Sequence, residues 1–218
     1  MNVSLNPGHL VFLLEGAVWT VLLSALAFVF GGMVGGLVAL TRISPLRSLR
    51  AVATLYIQLI QGTPLLVILF LIYFGLPVLG IKVSPLVAAT VSMTIYVGAY
   101  LGEIWRGAIQ AVPKEQWEAA ECLALTRTQR MVSVIMPQAV RIATPPTVGF
   151  LVQIVKNTSL VSVVGFVELT RSAQLINNST FQPFIVYSIV AAVYFAICFP
   201  LSMFSRKLEA RTGFSSTK

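Results

Sequence analysis

Charged residues are so widely spaced along this chain that the apolar runs between them define its elements. Glu15 and Arg42 enclose 26 uncharged residues, and Arg50 and Lys82 enclose 31. Lys82 and Glu103 bound a third run. A fourth extends from about Pro137 to Thr158 and a fifth from Pro183 to Ser205. Crossing a bilayer as a helix takes roughly 20 mostly apolar residues, so the pattern predicts five spanning helices. Within the second run, Gly62-Thr63-Pro64 interrupts the helix: a proline there removes a backbone hydrogen bond and predicts a bend. In the first run Gly31, Gly32, Gly35 and Gly36 form two small-xxx-small pairs that allow close backbone contact with a neighbour.

One long polar segment, about 106–136, separates the third and fourth runs. Pro113 suits the first turn of a short helix, and Trp117, Ala120 and Ala124 recur at helical spacing, as do Glu118 and Glu121. Thr126 followed by Gln129 reads as a capping box that restarts a second helix leading to Met136 and Pro137. The expectation is a small helix pair tethered at both ends to spanning helices. Glu103 and Arg106, three apart, can pair on one face and anchor it.

Composition fixes the class. Hydrophobic residues make up 57% of the 218 and charged ones 10%, where soluble domains carry about 25% charge. The net charge of +8 is no nucleic-acid footprint, because the basic residues cluster between apolar runs. Twelve of the 15 fall in the first loop (Arg42, Arg47, Arg50), the polar segment and its flanks (Arg106, Lys114, Arg127, Arg130, Arg141) or the tail (Arg206, Lys207, Arg211, Lys218). The positive-inside rule then predicts an outside N-terminus and a cytoplasmic C-terminus. No Lys or Arg precedes Arg42, so the first run reads as a retained helix and not a cleaved leader. Cys122 and Cys198 are too few for a disulfide framework or metal cluster. The lone His9 precedes the first run and reads as an interfacial bystander, and no Asp occurs. An intramembrane hydrolase has no base to work with, so no catalytic or metal-ligating set is expected. No GxxxxGK[ST] phosphate loop occurs either, so any ATPase must be another polypeptide.

The segment EAAECLALTRTQRMVSVIMPQ, 118–138, resembles the "EAA" coupling motif of binding-protein-dependent ABC importers. Glu118, Ala119, Ala120 and Pro137 match it, Val134 and Met136 stand in conservatively, and Ala124 replaces the usual Gly. That replacement is expected to leave close helix–helix approach possible but less tight, since Ala adds only a methyl. QGTPLL (61–66), EIWRGAIQAVPKEQWEAA (103–120), PQAVRIATPP (137–146) and KNTSLVSVVGFVEL (156–169) resemble the polar amino acid permease family, of the histidine/glutamine/glutamate type. Gln61 stands where Arg is common and Glu115 where Gly is common. The resemblance implies an all-α type I importer permease, one transmembrane domain over 1–218, in a bacterial inner membrane. It also implies that Glu118, Ala119, Ala120, Ala124 and Pro137 couple to partner ATPase subunits holding the ATP and Mg. A second permease subunit, identical or not, and an extracytoplasmic binding protein complete the implied assembly.

The fourth run carries the candidate binding face. Lys156 lies 14 uncharged residues beyond Arg141, roughly 22 Å along a helix, and an ionisable group at that depth usually meets a cavity or partner. Phe150, Gln153, Ile154 and Asn157 share one helix face. Phe150 and Asn157 stand where resembling permeases contact an amino acid, and neither is a carboxylate. Phe150, Gln153, Lys156 and Asn157 are thus expected to meet a neutral or acidic amino acid. The alternative is a same-architecture importer of an opine, a sulfur-containing amino acid or a cationic one.

Overall fold

A computed structural model describes residues 6–212; Lys218, assigned above to the basic tail, lies outside them. Asn6 caps α1 (Pro7–Ile43) through a reciprocal box with His9, whose imidazole accepts from the Asn6 N–H at 3.3 Å. His9 therefore closes the helix start and is more than a bystander. The helix begins eight residues before Glu15 because Pro7 and this cap set its origin. Ser44, Pro45 and Leu46 turn the chain into α2 (Arg47–Gln61), and the expected interruption then bends the path by 100° into α3 (Leu65–Val78). Pro64 has no N–H to continue α2 and starts α3 instead.

α4 (Pro85–Gln110) is capped by Ser84, which accepts from the Val87 N–H. α5 (Lys114–Cys122) follows Pro113, and the restart box forms as expected, Thr126 bonding Gln129 in both directions. α6 (Arg127–Val164) is a single long rod of changing pitch: a π turn at Arg130–Ile135, α-helix from Met136 to Asn157, and a 3₁₀ stretch over Thr158–Val164. It runs on past Thr158, since the hydroxyls of Thr158, Ser159 and Ser162 bond carbonyls three residues back and tighten the winding. Gly165, at φ +83°, ends it. α7 (Leu169–Thr180) is a 12-residue amphipathic helix that the apolar runs did not announce, and α8 (Pro183–Thr212) extends seven residues beyond Ser205.

Among the described residues four helices are long and apolar enough to cross a membrane, and the bent α2–α3 pair passes the same test when its two arms are taken together. The tightest seam lies between α1 and α4. Gly31 and Gly35 abut Val97, Gly98, Leu101 and Gly102, while Gly98 and Gly102 abut Val34 and Val38 in return. Lipid offers hydrocarbon no incentive to associate, so the seam is held by dispersion across short backbone separations. A core of Leu23, Leu69, Met93, Val97, Leu101, Ile154 and Val161 joins α1, α3, α4 and α6 above it.

Candidate coupling and substrate sites

α5 is seated by one face. Trp117 packs into the apolar cluster of Ile109, Val112, Ile135 and Ala139 where α4 ends and α6 begins, and Ala120 is buried beside it. Glu121 meets Arg130 at 3.1 Å and Gln116 accepts from the Gln138 amide at 3.2 Å, so both helices of the pair are pinned together. Lys114, Glu115, Glu118 and Ala119 form the opposite, exposed face. The Glu118 carboxylate makes no hydrogen bond or ion pair among the described residues. Pro137 is the second residue after the π turn, which ends at Ile135; its missing N–H costs one intrahelical bond, and the widened turn before it accommodates the ring.

Ala124 differs from the reading of its sequence. It lies beyond the end of α5 at φ +53°, in the left-handed region, where its N–H bonds the Glu121 carbonyl at 2.9 Å and Leu125 N–H reaches Ala120 at 3.3 Å. A glycine is favoured here because the backbone closes a helix, not because two helices approach. Left-handed geometry costs an L-residue about 1–2 kcal/mol, and glycine's looser unfolded chain returns about 0.4–1 of that. Ala124→Gly is expected to stabilise the turn by about 1 kcal/mol, slowing hydrogen exchange at the amides of 124 and 125 roughly fivefold.

A three-helix clamp stands behind α5. The expected Glu103–Arg106 pair forms, with Arg106 Nε donating to Glu103 Oε2 at 2.9 Å. Arg42 of α1 joins it from 3.7 Å and donates to Thr54 of α2 at 2.6 Å. The group ties α4, α1 and α2 to one another.

The candidate substrate face is divided. Phe150 stacks on Tyr100 of α4, rings 5.2 Å apart and 14° from parallel, with Tyr96 at 6.5 Å. The Gln153 amide donates to Asn157 Oδ1 at 3.0 Å. Phe150, Gln153 and Asn157 thus share a neutral surface of aromatic rings and amides. Ile154 is fully buried in the core and does not join them. Lys156 points elsewhere, into a groove of about 290 Å³ between α6 and α8 lined by Val152, Tyr194, Cys198 and Arg206.

Glu168 lies within KNTSLVSVVGFVEL (156–169), where nothing in the pattern of apolar runs singles it out. It is completely buried and accepts four hydrogen bonds: the backbone N–H groups of Thr170 (3.0 Å) and Arg171 (2.8 Å), the Tyr194 hydroxyl (3.0 Å) and the Thr20 hydroxyl (3.4 Å). The Leu-Thr-Arg start of an amphipathic helix after a carboxylate was the available signal.

Residues 27–213 match the model of the family described as binding-protein-dependent transport system inner membrane component. The chain belongs to this family. This permease is 38% identical over 210 residues to the probable amino-acid ABC transporter permease protein YckA of Bacillus subtilis (strain 168), covering 96% of this chain and 93% of that one. It is 39% identical over 197 residues to the L-cystine transport system permease protein TcyB of the same organism, covering 90% and 84%. Among solved structures, a crystal structure of an amino acid ABC transporter with histidines superposes with a TM-score of 0.89 at 35% identity. That match covers 96% of this permease and all of its counterpart.

Proposed function

We propose that this permease forms half of the pathway of an ATP-driven amino acid importer and takes its driving force through α5. The observation that carries the reading is the two-sided build of α5: Trp117 and Ala120 seat it against the ends of α4 and α6, while Glu118 and Ala119 stay free to engage another protein. Small residues let the helix seat deeply in a partner's groove, and the unpaired carboxylate fixes the register by charge-assisted hydrogen bonds. The partner is an ATPase that holds ATP and Mg. A second permease copy or homologue and an extracytoplasmic binding protein complete the assembly. The basic residues at the α5 end put that end and the C-terminus in the cytoplasm of a bacterial cell, and the N-terminus outside.

The cargo on this reading is an amino acid with a neutral or acidic side chain. Phe150, Gln153, Asn157, Tyr96 and Tyr100 present no carboxylate to a cationic side chain, and relatives named for glutamine and for cystine are similar along most of the chain. Cystine, with no net charge, would suit the same lining. Uptake into cells expressing the full transporter should be competed by glutamine, glutamate or cystine at least tenfold better than by arginine. Arginine as the strongest competitor sinks the specificity, and uptake without ATP sinks the mechanism.

A further inference from the structure

We propose that Glu168 is a positioning residue for transport: a latch that holds α7 closed over the end of the bundle opposite α5 and releases it when the pathway opens there. The proposal rests on the permease reading above, which makes that end the outer mouth.

The argument begins with what a buried carboxylate costs. Glu168 has no exposed surface, and no basic side chain pairs with it among the described residues. The guanidinium of the neighbouring Arg171 donates instead to Gln174 at 3.0 Å. A charge buried without a counterion is a poor way to hold two helices together, because a well-packed apolar residue does so at lower cost. Stability alone therefore does not account for the residue. Inside a membrane protein, an ionisable group of this kind marks a functional position.

Its four donors fall into two sets. The Thr170 and Arg171 N–H groups belong to the first turn of α7 and travel with it. Thr20 belongs to α1 and Tyr194 to α8. If α7 moves, the second set is lost and the first is kept, so the carboxylate stays capped by its own helix and is never stranded. The same separation holds next to it. Thr20 Oγ1 accepts from the Leu169 N–H at 3.3 Å, and Tyr194 shares a 2.9 Å hydrogen bond with Thr170. Gly16 of α1 lets α7 come so near that an added Cβ would lie 2.6 Å from Ser172 Oγ and 2.9 Å from Leu169 Cα. Buried Ser172 Oγ has no partner in this closed arrangement. Left-handed residues bracket the helix, Gly165 before it and Phe181 after it at φ +53°, so neither neighbouring rod continues into α7. The element is joined by short connections and docked by side chains that can let go.

Spin labels at the exposed positions Asn178 on α7 and Glu15 on α1 report docking in the full-length permease in nanodiscs. Tyr194→Phe and Thr20→Val each delete one detachable donor and keep the side-chain shape. Each is expected to raise the long-distance population at least about tenfold, the lower end of what a hydrogen bond to a charged group is worth. In liposomes containing the assembled transporter, passive efflux of preloaded amino acid without ATP should rise by a similar factor. Ser24→Ala is the control, since that hydroxyl bonds only the Thr20 carbonyl within α1, and it should change neither reading. Variants that melt earlier but keep wild-type distances and wild-type efflux overturn the latch and leave a structural cap. Wild-type liposomes that import no amino acid overturn the permease reading itself, whatever the labels show.

Discussion

Glu118→Lys is expected to lower substrate-stimulated ATP hydrolysis by the assembled transporter by about thirtyfold or more, while the permease accumulates in the membrane at its normal level. The two halves of this expectation come from the two sides of α5. On the inner side nothing changes: Trp117, Ala120 and the Glu121–Arg130 pair hold the helix, and Glu118 touches none of them. An exposed substitution without internal partners shifts stability by about 0.5 kcal/mol or less. On the outer side, reversing a charge that meets a desolvated partner costs about 2–5 kcal/mol or more, which spans factors of roughly 30 to several thousand. Glu118→Gln keeps the shape and loses only the charge assistance, so it should retain a measurable fraction of coupling. Trp117→Ala should do the reverse of Glu118→Lys, loosening the helix and lowering the amount of folded permease. Membrane abundance beside ATPase rate in reconstituted transporter separates the three, and full transport by Glu118→Lys refutes the lever.

Much of this architecture was legible from the spacing of charges, because a bilayer enforces one physical rule over long windows. Four of the five apolar runs became single long helices and the second became a bent pair, with Gly62-Thr63-Pro64 at its 100° bend. The Thr126–Gln129 box formed because both of its bonds are local. Legibility ended where geometry is set by three-dimensional neighbours. α7 is not legible as an apolar run because two of its five buried residues, Ser172 and Thr180, are polar beside Leu169, Ala173 and Ile176, so an apolar scan reads it as loop. The direction of Lys156 was within reach: adjacent helical residues project about 100° apart, and Lys156 and Asn157 therefore belong to different flanks. The role of Ala124 was not, since a left-handed residue looks like any other alanine until the carbonyls it caps are placed.

The α1–α4 seam gives the largest stability effect, and its glycines should not behave alike. At Gly98 an added Cβ would lie 2.6 Å from Val34 Cγ1, 2.9 Å from Val34 Cβ and 3.2 Å from the Tyr56 hydroxyl. Tyr56 already donates to the Ile95 carbonyl at 2.6 Å, so it has little room to yield. Gly98→Ala is expected to destabilise by about 1–3 kcal/mol, as overpacking of a closed core does. Gly98→Leu should leave no folded permease in a detergent melt. Gly107 lies nine residues further along the same helix with nothing within 4 Å of its added Cβ. There the entropic advantage of alanine operates alone, and Gly107→Ala should stabilise by about 0.5–1 kcal/mol. A partner substitution tests the cause. Val34→Ala removes the 2.6 Å collision and leaves the 2.9 Å one, so combined with Gly98→Ala it should restore only part of the loss, and the pair should couple by about 0.5 kcal/mol or more. If Gly98→Ala and Gly107→Ala move the melting temperature equally, helix propensity governs both sites and the seam is not held by close approach.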